Sequence, residues 1–339
     1  MKLKPRDPAI QNQKTKLYDI IKWAAAYYHK VLLDSPKAQI ARVYLKERGV
    51  NEDTIEEFKL GYALLDWELV NNFLKKKEFS EEDIFLAGLT IKKERGEGFY
   101  DRFRGRLMFP ILDVHAEIIG FSARLIEKKD DKEAAKYINT PQTLIYNKSY
   151  ALYGLDKAKN FIKEKKQAIV VEGNMDVLAS FQAGVKNVVA SSGTALTRDQ
   201  VGLLKRYTDN VAFSFDRDTA GEEATRRALD QALASEANVR IIEIPFGKDP
   251  DECIKKDKDL WLKATDEAKS VMEYYFDLAQ KRFNFEKIED KKEAAKMLLS
   301  LLAKLADPIE KTHYLQKLAG LIKVDENILR DSLNKLFRQ

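Results

Sequence analysis

Three acid pairs stand where chemistry could be done: Glu172 and Asp176 in VVEGNMDV, Asp216 and Asp218 in FSFDRDTAG, and Asp249 and Asp251 in GKDPDE. Each lies just past a short apolar run that reads as a strand, and in an open α/β sheet ligands bind in the crevice beyond the carboxyl ends of strands. Carboxylates gathered at such an edge repel one another unless divalent cations, and the phosphates those cations attract, neutralise them. The pattern therefore points to metal-dependent phosphate chemistry. Alternation along NVAFSFDRD puts Asp216 and Asp218 on one side of a strand, about 6.5 Å apart, with Arg217 on the other. Asp249 and Asp251 repeat that spacing around Pro250, which stiffens the loop. Glu172 ends a strand and Asp176 follows one helical turn later; Gly173 between them permits a sharp turn and removes bulk where a phosphate could approach. Taken singly, each pair is better explained as helix caps and solvated turn acids. Their recurrence at one predicted sheet edge is what favours chemistry.

The elements that must position these acids alternate strictly between residues 168 and 254. AIVVE, NVVAS, NVAFSF and VRIIEI read as strands, separated by the helical runs MDVLASFQAG, TRDQVGLLKRY and AGEEATRRALDQALA, with a short helix from Pro250. Such alternation implies right-handed βαβ units and a parallel sheet. Upstream, residues 10 to 100 read mostly as helices, one of them closed by Gly49. RLMFPILDV and EIIGFSARLI then form a hairpin across His115-Ala116-Glu117. After Asp257 every run is helical through Leu336, broken at Asp307-Pro308. The expected class is α/β, in three parts: residues 1–163 as a basic N-terminal mixed α/β subdomain, 164–260 as a parallel sheet flanked by helices, and 261–339 as a helical bundle.

Composition limits the chemistry further. Of 339 residues, 59 are basic and 54 acidic, a formal charge of +5 that does not by itself identify a nucleic-acid partner. What matters is whether cations are segregated from the acids. One cysteine and three histidines cannot make an internal disulfide or a zinc ribbon, so oxygen ligands and Mg²⁺ or Mn²⁺ are expected, with no zinc. No run has membrane-spanning length and the first residues lack a signal peptide's apolar segment, so a cytoplasmic, membrane-free protein is expected. Arg102, Arg104 and Arg106 at alternate positions would share one face of an extended segment. Arg124 follows a strand, Lys136 precedes Tyr137, and Lys148 lies between Tyr146 and Tyr150. Any one of these is most simply a solvated charge, yet cations interleaved with aromatics suit single-stranded nucleic acid. Trp23, Tyr27 and Tyr28, at helical spacing, read as core.

The acid segments, E-G-x-M-D, then D-x-D-x-A-G, then D-P-D in consecutive βα units, resemble the Toprim domain shared by primases, topoisomerases and certain nucleases. Upstream, YDRFRGRLMFPILDVHAEIIGFSARLI and KYINTPQTLIYNKSYALYGLDKA resemble the catalytic core of bacterial DnaG-type primases, and the likeness runs from about Tyr44 to Glu252. The resemblance implies a Toprim-type fold and synthesis of short RNA primers on a single-stranded DNA template, in DNA replication. A 3′-hydroxyl would attack the α-phosphate of a ribonucleoside triphosphate, leaving an RNA primer–DNA hybrid. Glu172 would be the catalytic acid/base or a ligand. Asp216 and Asp218 would be the principal ligands, and Asp176, Asp249 and Asp251 would complete a cradle for two or more Mg²⁺ or Mn²⁺ ions. Arg48, Arg124, Lys136 and Lys148 would contact template or nucleotide phosphates. A Toprim nuclease or phosphodiesterase, using the same acids with water as nucleophile, is the alternative. Arg217 and Thr219 depart from the family's usual glycine and basic residue. The zinc-binding and helicase-binding domains of full-length primases, and the replicative helicase as partner, are expected only in a longer form.

Overall fold

The structure, a computed structural model, describes residues 8–126, 135–191, 196–214, 229, 231–232, 234–235, 237–305 and 307–336. The chain forms two compact units, residues 1–161 with 171–194 and residues 162–170 with 195–339.

The first unit begins with helix α1 (Pro8–Asp34), whose Leu17, Ile20, Ile21, Ala24, Tyr28 and Leu32 recur at helical spacing and are all buried. Pro36 opens a short 3₁₀ turn before α2 (Gln39–Glu47), and α3 (Glu52–Glu57) is capped by Asn51, whose side chain accepts the Thr54 N–H. Strand β1 (Gly61–Ala63), helices α4 (Leu69–Lys75) and α5 (Glu81–Leu86), and the antiparallel pair β2 (Thr90–Lys92) and β3 (Phe99–Asp101) follow. Strands β4 (Arg106–Leu112), β5 (Ile118–Leu125) and β6 (Tyr137–Asn139) join β1 in an antiparallel sheet of order β1-β4-β5-β6.

The expected hairpin is present. Its turn is tied by the Asp113 carboxylate, which accepts the N–H groups of His115 and Glu117. One face of the sheet, with Met108, Phe121 and Ala123, packs on α1. Gly61 allows that approach, because a Cβ there would come 2.7 Å from the Tyr28 Cβ. The other face carries Leu107, Arg124 and Tyr137 in register across β4, β5 and β6.

Helix α6 (Leu155–Lys165) leads to β7 (Ala168–Val171), followed by α7 (Asn174–Gln182), β8 (Val188–Ala190), α8 (Arg198–Leu204), β9 (Asn210–Ser214) and β10 (Asn238–Ile241). These strands and β11 (Lys269–Ser270) form a sheet of order β11-β10-β9-β7-β8. β9 and β10 pair in parallel, as the alternation of strands and helices requires, whereas β11 adds antiparallel to β10. The sequence pattern offers no strand at β11, since a run of two residues is too short to show a period. The helix expected over residues 220–234 lies largely outside the described residues.

From Pro250 the second unit is otherwise helical: α9 (Pro250–Lys256), α10 (Lys258–Asp266), α11 (Val271–Arg282), α12 (Ile288–Leu302), α13 (Pro308–Ile322) and α14 (Glu326–Leu336). Residues of α11 to α14, among them Phe276, Leu298, Leu302, Leu318 and Leu333, close a separate core. Asp307 starts α13 by accepting from the Ile309 and Glu310 N–H groups, with Pro308 in the first turn. No helix among the described residues is long and apolar enough to cross a membrane.

Candidate functional site

The first unit holds Glu172 and Asp176. Glu172 is half-buried in the turn directly beyond β7, and Asp176, buried, sits in the first turn of α7. One Asp176 oxygen accepts the Gly173 N–H at 3.0 Å, so the carboxylate folds back over the turn. Gly173 has φ −110° and ψ 154°, open to any residue, so its requirement is not conformational. A Cβ there would lie 2.8 Å from the Asp176 carboxylate; the glycine makes room for that acid.

The second unit holds Asp249 and Asp251. Asp249 caps α9, accepting the Glu252 N–H at 2.8 Å, with Pro250 next in line. Asp251 is 1% exposed, and Lys255 one turn later approaches it to 3.2 Å. The stiff loop expected around Pro250 is thus the first turn of a helix. Asp249 performs the capping that the simpler reading of these acids assigns to it.

Asp216 and Asp218, with Arg217 and Thr219, lie outside the described residues; β9, which leads to them, ends at the fully buried Ser214. Among the described residues no three carboxylate, histidine or cysteine groups gather as a metal site. The donor chemistry nevertheless fits Mg²⁺ or Mn²⁺, since every candidate is a carboxylate. Asp176 in particular is held buried by a glycine-dependent turn that engages one of its oxygens.

The predicted cations divide into two groups. Arg124 on β5 donates to the Tyr137 hydroxyl at 2.9 Å, and its guanidinium lies 4.9 Å from the centroid of Tyr44 and 5.4 Å from that of Tyr137. Arg48 ends α2, where Gly49 at φ +76° turns the chain, and its guanidinium stands 6.0 Å from the same Tyr44 ring. Two guanidiniums thus share one aromatic plate, an arrangement that fixes planar forks suited to phosphate. Burial pushes the Tyr137 hydroxyl above its usual range; Arg124 and Arg48 act to lower it, while the Asp176 carboxylate raises it. Arg124, Arg48 and Asp176 thus all bear on the Tyr137 hydroxyl within this unit. Lys136 and Lys148 are exposed, Lys148 between the buried Tyr146 and the exposed Tyr150.

Arg102, Arg104 and Arg106 do not share a face. Residues 102–105 lie between strands β3 and β4 and Gly105 has φ +62°, so the alternation fails there. Arg102 donates to the Gly88 carbonyl, and Arg106 enters the sheet to reach the Ala123 and Ala135 carbonyls. Arg104 bonds the Asp101 carbonyl and lies 4.1 Å from the ring of Trp67 and 5.1 Å from that of Tyr100. Trp67 is 56% exposed and meets Tyr100 edge-on at 5.3 Å. This Trp67–Tyr100–Arg104 platform escapes sequence reasoning because its members come from separate segments.

Asp101 organises that platform. Its N–H donates to the Trp67 carbonyl, and its buried carboxylate accepts the Val70 and Asn71 N–H groups at the start of α4. Burial pushes this carboxyl up to about 7, against the lowering effect of those two bonds and of Arg104. Of the three aromatics expected in the core, Tyr28 is buried and Tyr27 half-buried, but Trp23 is on the surface.

Comparison with known proteins identifies the family of the chain. The family described as DNA primase catalytic core, N-terminal domain, matches residues 27–159, and a Toprim-like family matches 169–254. A third, the DnaB-helicase binding domain of primase, matches 272–327. That match corrects the expectation that no helicase-binding segment lies within the chain. The expectation rested on length, which cannot distinguish a helical segment already in the bundle from one appended after it.

A DNA primase of Clostridium acetobutylicum is 38% identical over 94% of this chain and 52% of its own length. The chain spans about half the length of the curated relatives it matches. A DNA primase domain from Pseudomonas aeruginosa is 30% identical and superposes with a TM-score of 0.81, covering 94% of this chain and 99% of that one. The RNA polymerase domain of Mycobacterium tuberculosis primase DnaG, in complex with a double-stranded DNA oligomer bearing a 6-nucleotide overhang, is 32% identical, with a TM-score of 0.78, covering 91% and 97%.

Proposed function

Because the chain belongs to the bacterial DnaG-type primase family and matches its catalytic core, we propose that it synthesises short RNA primers on single-stranded DNA by metal-dependent nucleotidyl transfer. The observation that carries this reading is the pairing, within one unit, of Arg48 and Arg124 on a shared tyrosine plate with the turn that holds Asp176. Cations to hold phosphates and acids to hold metal are the two parts that phosphoryl transfer needs.

In this reading Arg48, Arg124, Lys136 and Lys148 bind and orient phosphates of template and ribonucleoside triphosphate. The platform of Trp67, Tyr100 and Arg104 stacks template bases. Glu172 accepts the proton of the attacking 3′-hydroxyl as pyrophosphate leaves. Asp176, Asp216, Asp218, Asp249 and Asp251, all within the Toprim-like match, hold the ions together with Glu172. When bound, two or more Mg²⁺ or Mn²⁺ ions supply charge neutralisation at the attacking and leaving oxygens. Residues 1–163 serve as template-binding part, 164–260 as Toprim part and 261–339 as helical part. The match over 272–327 supports a replicative helicase as partner.

Asp216→Ala tests the division of labour. Primer extension on an RNA–DNA hybrid is expected to vanish while affinity for single-stranded template stays within about twofold of wild type, since acids reserved for metal carry little of the phosphate affinity. Loss of both together would refute the separation of the cationic and acidic parts.

A further inference from the structure

Helices α1 and α4 of the first unit present a row of aromatics flanked by cations, none of which has been assigned a role above. Trp23 is 42% exposed and meets Phe73 edge-on at 6.4 Å. Tyr27, one turn further along α1, stacks on the other side of that row, 4.7 Å from Phe73 with the rings 29° apart. The Lys77 ammonium stands 4.1 Å from the Trp23 ring centroid. Lys22, Lys76 and Lys77 are exposed, and none is paired with a carboxylate among the described residues. An exposed indole with an unpaired cation over it is the combination that a single-stranded nucleic acid satisfies, base on ring and phosphate on ammonium.

The row is continuous with the Trp67 platform. Helix α4, which carries Phe73 and ends just before Lys77, begins two residues after Trp67. Asp101 ties the two together, bonding the Trp67 carbonyl and the first N–H groups of α4.

We propose that Trp23, Phe73 and Lys77 form a second stacking platform, which extends the path of the single-stranded template beyond Trp67 and Arg104. The proposal rests on the template-binding reading given above. Its signature is length dependence: short strands occupy the Trp67 platform alone, and longer ones reach Trp23. Base–aromatic stacking is worth roughly five- to a hundredfold in affinity per base, and each phosphate no longer neutralised lowers the salt slope by about 0.7.

The chain has three tryptophans, Trp23, Trp67 and Trp261, and Trp261 is fully buried. Trp67→Phe therefore leaves Trp23 as the accessible reporter. Its emission is followed on titration with oligothymidylates of about 4 to about 16 nucleotides, the range of single-strand site sizes. Quenching is expected only with the longer strands. In the otherwise wild-type chain, Trp23→Ala is expected to weaken long strands roughly five- to a hundredfold while sparing short ones, with Trp23→Phe recovering most of the loss. Lys77→Ala should lower the salt slope for long strands alone. Circular dichroism confirms that the variants are folded.

Unchanged long-strand affinity in Trp23→Ala overturns the proposal. So does the absence of Trp23 quenching at any length, which would assign the patch to a partner other than nucleic acid. Trp67→Ala and Arg104→Ala separate the two levels. If they weaken short strands and Trp23→Ala weakens none, only the second platform falls; if they too weaken none, the template-binding reading falls with it.

Discussion

Replacing Asp101 with asparagine tests whether burial or hydrogen bonding governs the carboxyl that anchors the Trp67 turn to α4. The side chain is 3% exposed, accepts two backbone N–H groups at 2.8 and 3.0 Å, and titrates at about 7 instead of 3.8. The folded chain thus holds this proton more tightly than the unfolded chain does. Its contribution to stability is fully present below the unfolded value and is lost as pH rises through the folded one. The window runs from 3.8 to about 7. Between about pH 5 and about pH 7 the loss is about 1.4 kcal/mol per unit, or about 2.7 kcal/mol in all.

Asparagine cannot titrate, so subtracting its unfolding free energy from that of the wild type isolates this group from every other ionisation. Urea unfolding at about pH 5 and about pH 8 should show Asp101→Asn gaining on the wild type by about 2.7 kcal/mol across the interval. A difference that stays constant, or that moves in favour of the wild type, would show that the two N–H bonds, the helix N-terminus and Arg104 outweigh burial. The carboxyl would then be ionised throughout.

Three further outcomes are expected. Arg124→Ala should weaken single-stranded DNA and lower the slope of log affinity against log salt by about 0.7 for each phosphate it no longer neutralises; an unchanged slope removes Arg124 from the site. Gly173→Ala should lower stability by about 1–2 kcal/mol, the scale of a missing N-terminal cap, because its Cβ displaces the Asp176 carboxylate; an unshifted melting temperature would show that this carboxylate swings away without cost. Arg104→Lys should weaken short single strands although charge is kept, since an ammonium cannot reproduce a guanidinium stacked on Trp67 and Tyr100; wild-type affinity would refute a stacked role.

Much of the architecture is legible in the sequence because period and punctuation are local. The hairpin around His115, the strands β7 to β10 and the break at Asp307-Pro308 each follow from a few neighbouring residues. Asp249-Pro250 likewise carries the ordinary signals of a helix start, and the structure places a cap there. What depends on distant partners is not legible. Asp101 caps a helix that begins some thirty residues earlier, and Trp67, Tyr100 and Arg104 meet only once α4 and β3 are in place.

Trp23 shows a different limit. Helical spacing puts it on the same broad stripe as Tyr27, but a stripe does not reveal where the packed face ends. The triple arginine fails for a backbone reason, because Gly105 turns the segment and sends Arg106 into the sheet. Gly173 is correctly marked as special, but the group it accommodates is a carboxylate of its own helix.

Template-directed synthesis itself is the most direct test of the central claim. The chain is incubated with single-stranded DNA, all four ribonucleoside triphosphates and Mg²⁺ or Mn²⁺, alongside its Asp216→Ala variant, and the products are resolved on a denaturing gel. Short RNA products complementary to the template are expected from the wild type and none from the variant. Intact nucleotides together with metal-dependent breaks in the DNA would contradict primer synthesis and assign the same acids to a nuclease.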